Sequence, residues 1–168
     1  MAHIQKGKGF IKHDDYMTPK SAWEAIATYI PKDKKIWEAF YGDGDSGKYL
    51  QELGFNVIHE EIDFFNDDTL PDYDLIVTNP SFSNVKDIIP RLMTLDKPFI
   101  LILPTFKLYT NYFREAFKDQ KLQLLIPRTR IQFAKLINTK KTTENKCSFD
   151  CAYFCYEMDF PKDIIWLP

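Results

Sequence analysis

A chain of 168 residues, 45% hydrophobic and 15% aromatic, carries enough apolar material for one packed core and excludes wholesale disorder. With 22 Lys and Arg against 24 Asp and Glu, its net charge of −2 is not the strongly basic balance of a protein held to nucleic acid by charge alone. The longest purely apolar run, Phe99 to Leu103, is far short of the ~18 residues that span a membrane.

No apolar stretch of a secretory signal opens the chain. The sequence therefore predicts one intracellular, cytoplasmic domain over residues 1–168, with no membrane partner. Cys147, Cys151 and Cys155 are odd in number and match no metal-cluster spacing. They read as small apolar residues of a reducing compartment. His3, His13 and His59 lack metal-ligand spacing, so no metal site is predicted. Positive charge gathers at Lys6/Lys8, Lys32–Lys35, Arg128/Arg130 and Lys135–Lys146.

Along the chain, Thr18-Pro19 has the form of an N-cap and a first-turn proline. Ala22, Trp23, Ile26, Tyr29 and Ile30 then recur at helical spacing, and Pro31 closes the helix. Ile36–Phe40 reads as a strand, 41–47 as a glycine-rich turn, and a short helix runs through Leu53 to a terminating Gly54. Strands follow at Phe55–His59 and Tyr73–Thr78. A helix marked by Val85, Ile88, Ile89 and Leu92 carries Pro90 as a kink. A strand at Phe99–Leu103, a helix at Tyr109–Phe117 and strands at Leu122–Pro127 and Phe149–Glu157 complete the series. Strands alternating with helices predict a Rossmann-like α/β fold, a mostly parallel sheet with helices on both faces. Ligands of such sheets bind beyond the carboxyl ends of the strands. The glycine turn, Glu60/Glu61 and Asn79 all fall there, and so do Lys107 and Tyr109, to which no motif gives a role.

The glycine turn has three readings. Gly42-x-Gly44-x-x-Gly47 is the dinucleotide-type turn between strand and helix, and Glu60 and Glu61 follow at about the 20-residue spacing of a ribose-binding acid. Gly42-x-x-x-x-Gly47-Lys48 is also most of a P-loop, but Tyr49 stands where a magnesium-binding Ser or Thr belongs. A bare tight turn, held by an Asx bond from Asp43, is the third.

Asn79-Pro80-Ser81-Phe82 ends the Tyr73–Thr78 strand. The exocyclic amine of adenine is a poor nucleophile because its lone pair is delocalised into the ring. Two acceptors aimed at its hydrogens, an Asn side-chain oxygen and the next backbone carbonyl, favour release of that lone pair. The aromatic residue offers a face to an extruded base.

These segments together resemble the N6-adenine DNA methyltransferase family, particularly its small phage- and virus-encoded members. The matching segments cover most of the chain. Asp15-Tyr16-Met17-Thr18-Pro19 resembles the family's N-terminal D-x-Y-x-T-P segment, and 37–44 its first cofactor motif, with Glu38 at the acidic position. Asn79-Pro80-Ser81-Phe82 matches the catalytic (D/N)-P-P-(Y/F) motif, and 126–133 a late basic segment.

The resemblance implies S-adenosyl-L-methionine as cofactor and a Rossmann-like methyltransferase fold. Tyr16, Thr18, Glu38, Gly42, Asp43 and Gly44 would hold the cofactor, with Glu60 or Glu61 on its ribose and Asp63 and Phe64 on its adenine. Asn79, Pro80 and Phe82 would be catalytic, with Ser81, Arg128 and Arg130 on a nucleic-acid substrate, DNA ahead of RNA. Ser81 replaces the family's second proline: both acceptors survive, a fixed φ is lost and an N–H is gained, which predicts a weakened or altered enzyme. No stretch remains for a separate target-recognition domain, so recognition falls to loops or to a partner. Protein glutamine amides present the same delocalised NH2, and a non-catalytic binder of the same fold is the alternative from another class.

Overall fold

A computed structural model describes residues 16–137, 140–142 and 147–168, with backbone alone described over 135–137 and 140–142. Asp15, Lys6, Lys8, His3, His13 and Lys146 lie outside these residues. Short β1 (Tyr16–Met17) leads into α1 (Lys20–Glu24). Then come β2 (Lys35–Trp37), α2 (Asp45–Glu52), β3 (Asn56–Ile58), β4 (Leu75–Thr78), α3 (Val85–Leu95), β5 (Phe99–Pro104) and α4 (Asn111–Phe117). β6 (Leu122–Ile126), β7 (Ala134–Ile137), β8 (Lys140–Thr142), β9 (Cys151–Tyr156) and β10 (Ile164–Trp166) finish the chain.

Seven strands form the main sheet in the order β10-β6-β9-β5-β4-β2-β3. All neighbours are parallel except β9, which runs antiparallel to both β5 and β6. The strands that sequence reads most easily, β4, β5 and β9, are buried at every residue. A strand covered on both faces has no polar side to alternate with. Right-handed crossovers place α2, between β2 and β3, and α3, between β4 and β5, on opposite faces of the sheet. α1 packs with α2, and α3 with α4. The expected Rossmann-like α/β architecture holds.

β9 is antiparallel after a β7–β8 hairpin, and the described residues between it and β6 hold no crossover helix to bring it back in the same sense. β7 also pairs with β1, Tyr16 opposite Lys135 and Met17 opposite Ala134. That pairing fastens the N-terminal segment across the carboxyl edge of the sheet.

Local readings differ in places. Pro19, with φ −70° and ψ 152°, is itself the N-cap of α1 and no side chain caps that helix. The helix stops at Glu24, and a 3-10 turn at Ala27–Tyr29 follows. Helix α3 continues through Pro90 to an Asp96 in the left-handed region. The helix expected at Tyr109–Phe117 divides into a 3-10 turn, Thr105–Tyr109, and α4. All three cysteines are buried and free, and burial pushes their thiols up, so they remain inert apolar side chains. Among the described residues no helix is long and apolar enough to cross a membrane.

Candidate active site

The chain leaves β2 toward β3 on one side, and β4 toward β5 on the other. Strand order therefore reverses between β2 and β4, and their carboxyl ends diverge into a crevice. Two segments meet there: 38–47 after β2 and 79–82 after β4.

The first segment turns sharply. Gly42 and Gly44 have φ of 59° and 86°, the left-handed region that a Cβ disfavours. Gly44 N–H donates to the Tyr41 carbonyl at 2.8 Å, and Asp45 N–H to Asp43 Oδ1 at 3.0 Å, the Asx bond expected of that aspartate. Gly47 serves packing: a Cβ there would overlap the Cβ and Cγ of His59 beyond β3. Gly47→Ala should therefore cost about 1–3 kcal/mol, read as a lower urea midpoint at unchanged slope.

The second segment presents the amide of Asn79. Its Nδ2 donates to Thr18 Oγ1 at 2.8 Å, while Oδ1 is shielded from solvent with no partner among the described residues. Thr18 is thus an amide clamp held by β1, where the sequence predicts a helix cap. Pro80 and Ser81 are buried, and Ser81 Oγ lies 3.3 Å from Ser83 Oγ. Ser81 has φ −61°, the angle that a proline would impose. Ser81→Pro is expected to fold normally and to raise stability by up to about 1 kcal/mol, measured by thermal unfolding.

Between the segments lies a narrow cleft with a cavity of about 40 Å³. Of the residues singled out by sequence, Gly42, Asp43, Tyr16 and Thr18 line it together with Asn79, Pro80, Ser81 and Phe82. Met17, Phe40, Tyr41 and Ser46 line it as well. Ser46, whose Oγ accepts from Trp23 Nε1 at 3.2 Å, lies inside the glycine motif at a position the motif leaves open.

Glu38 lies buried at the end of β2, and Thr78 at the end of β4 donates its hydroxyl to Glu38 Oε1. Burial pushes the Glu38 carboxyl up to about 7, against the Thr78 and Phe40 hydrogen bonds that favour its charged form. Its Oε2 has no partner among the described residues. Glu38 is 1% exposed and does not itself line the cleft, and neither does the buried Gly44.

Other predicted residues lie elsewhere. Glu60 and Glu61 are exposed past the end of β3, outside the cleft lining. Asp63 Oδ1 accepts from Phe65 N–H at 3.0 Å in a local turn. Phe64 is fully buried, its ring 4.9 Å from Phe40 and 5.8 Å from Trp37, so it forms core beneath the loop and offers no open face. Phe82 is only 8% exposed, stacked 6.4 Å from Tyr16 and edge-on to Phe133 and Phe149. Little of its ring is open to a base, and the half-buried Tyr16 covers it.

Arg128 and Arg130 line a different groove, against Pro19 and Leu167. There Arg130 grips Asp150 with two nitrogens, at 2.8 and 3.3 Å. The structure does not bring these arginines to the Asn79 cleft.

No family model matches the chain, and no curated protein matches it in sequence. The solved structures similar to it in fold include these two. One is the precorrin-6y C5,15-methyltransferase of Geobacter metallireducens, 18% identical with a TM-score of 0.44, the match covering 86% of this chain and 95% of the other. The second is TehB of Haemophilus influenzae, 14% identical with a TM-score of 0.45, covering 82% of this chain and 61% of that one. The Rossmann-like α/β architecture itself is read from this chain's own strand order.

Proposed function

We propose that the chain is an S-adenosyl-L-methionine-dependent methyltransferase acting on the N6 amine of adenine in DNA. The observation that carries this reading is the Asn79 amide, held through its nitrogen by Thr18 with its oxygen left unpartnered beside Pro80 in the cleft. An unpartnered buried acceptor costs free energy unless a ligand donor satisfies it. An NH2 group has two hydrogens to donate, one for Asn79 Oδ1 and, on this reading, one for the Pro80 carbonyl.

The residues opposite fit the cofactor. Gly42 exposes backbone at the cleft, whereas Gly44 is buried against the Tyr41 ring, and the buried Glu38 Oε2 at the end of the strand leading into the turn has no partner among the described residues. The cofactor, when bound, supplies a methyl group on a positively charged sulfur. This chain's part is to hold the amine in line with that methyl and to draw charge out of the adenine ring through Asn79 and Pro80 as the bond forms. Neither acceptor has to take the proton before transfer.

Incubation with methyl-labelled cofactor and short DNA, with and without adenine, tests the reading. Label is expected only in adenine-containing DNA, as N6-methyladenine. Cofactor binding without transfer, or label recovered in protein glutamine, would overturn it.

A further inference from the structure

The 3-10 turn Thr105–Tyr109 leaves β5 at the carboxyl edge of the sheet, beside the end of β4 that carries Asn79. It exposes Tyr109 at 92% and Phe106 at 53%. Rings this large are normally withdrawn from water, and two left out together beside a cleft mark a contact surface.

The backbone beneath them is firmly held. β5 pairs with β9 up to Pro104 opposite Cys151. Thr105 then donates to the Asp150 carbonyl through its N–H at 2.9 Å and its hydroxyl at 3.3 Å. The Thr110 hydroxyl closes the turn on the Lys107 carbonyl at 2.6 Å.

The Phe106 ring also continues the cleft. Phe106 meets Phe149 edge-on at 6.3 Å, and Phe149 meets the cleft-lining Phe82 at 5.6 Å. Lys107 places its ammonium 5.6 Å from the Phe106 ring centre. Ring faces with an ammonium between them in sequence match a nucleic-acid strand, whose bases stack without regard to sequence and whose phosphates take the cation. Paired bases in a duplex offer no free faces. With a net charge of −2, the chain gains little from general electrostatic attraction, so stacking has to carry much of the binding.

We propose that Phe106 and Tyr109 stack unpaired bases flanking the target nucleotide, with Lys107 on the linking phosphate, so that the substrate is single-stranded DNA. This rests on the reading of the Asn79 cleft as the pocket for a target adenine.

Fluorescence anisotropy with labelled oligothymidine, cofactor absent, tests it. The single strand should bind at least about tenfold tighter than a duplex of equal length, and Tyr109→Ala should weaken it by about tenfold. Tyr109→Trp should retain binding, and Lys107→Gln should lower the salt slope by about 0.7. Tyr109 is almost wholly exposed, so its melting curve serves as the folding control. Equal affinity for duplex, no binding of oligothymidine, or an unaltered Tyr109→Ala variant would each overturn the proposal.

Oligothymidine contains no adenine, so the two readings fail separately. Strand binding through Tyr109 without any methyl transfer sinks the catalytic reading and leaves the platform. Adenine methylation with an unchanged KM for DNA in Tyr109→Ala sinks the platform alone.

Discussion

Asn79→Ala is expected to lower the rate of methyl transfer at saturating cofactor by about 10²–10³-fold, the range seen when one preorganised polar group facing developing charge is removed. Cofactor affinity and stability should hardly move. The amide makes one hydrogen bond to the protein, to Thr18, and its oxygen makes none among the described residues, so truncation removes as much desolvation cost as stabilisation. Thr18→Val gives a second, finer reading. Thr18 is 5% exposed and valine fills the same volume, but it cannot accept from Nδ2. The amide then turns freely, and a loss of about tenfold in kcat with unchanged KM is expected from mispositioning alone. Single-turnover kinetics check both. An Asn79→Ala variant with native turnover would show that the cleft does its work without that oxygen.

Thr18 also shows where sequence stops being informative. A threonine before Pro19 looks the same whether its hydroxyl caps a helix or clamps an amide, and the partner, Asn79, lies 61 residues away. The strands β4, β5 and β9 were legible because burial on both faces leaves uninterrupted apolar runs. Their alternation with helices placed the candidate residues beyond the carboxyl ends of the strands, while the reversal of strand order between β2 and β4 is visible only in the sheet itself. Strands β1 and β10 were not legible. Two or three residues carry no periodicity, and Ile164 and Trp166 of β10 stay largely exposed. Arg130 and Phe64 were visible as residue types and invisible as contacts. One is held by Asp150 beyond the hairpin, and the other is buried against Phe40 and Trp37. Motif spacing supplies the chemistry of a side chain, while its exposure is decided by what the rest of the chain packs over it.

Glu38 should give the cofactor-free protein a pH-dependent stability of unusual sign. Its folded carboxyl lies at about 7, against the ordinary 4.5, because burial disfavours the charged form. Below 4.5 folded and unfolded chains are both protonated here, and Glu38 contributes nothing to the dependence. As pH rises toward 7 the unfolded chain ionises freely while the folded one resists, so stability falls, by about 3 kcal/mol at 1.36 kcal/mol per pH unit. Urea unfolding between pH 5 and 8 should show this fall in the native chain, and Glu38→Gln should remove it. That slope difference is unaffected by any constant cost of burying the amide. A cationic ligand reverses the balance, because its charge favours the ionised carboxylate. S-adenosyl-L-methionine should therefore bind at least about tenfold more tightly at pH 8 than at pH 5.5, and Glu38→Gln should flatten that dependence as well. Calorimetric titration at the two pH values decides the matter: equal affinity in the native chain would mean that the open oxygen of Glu38 never meets the ligand's charge.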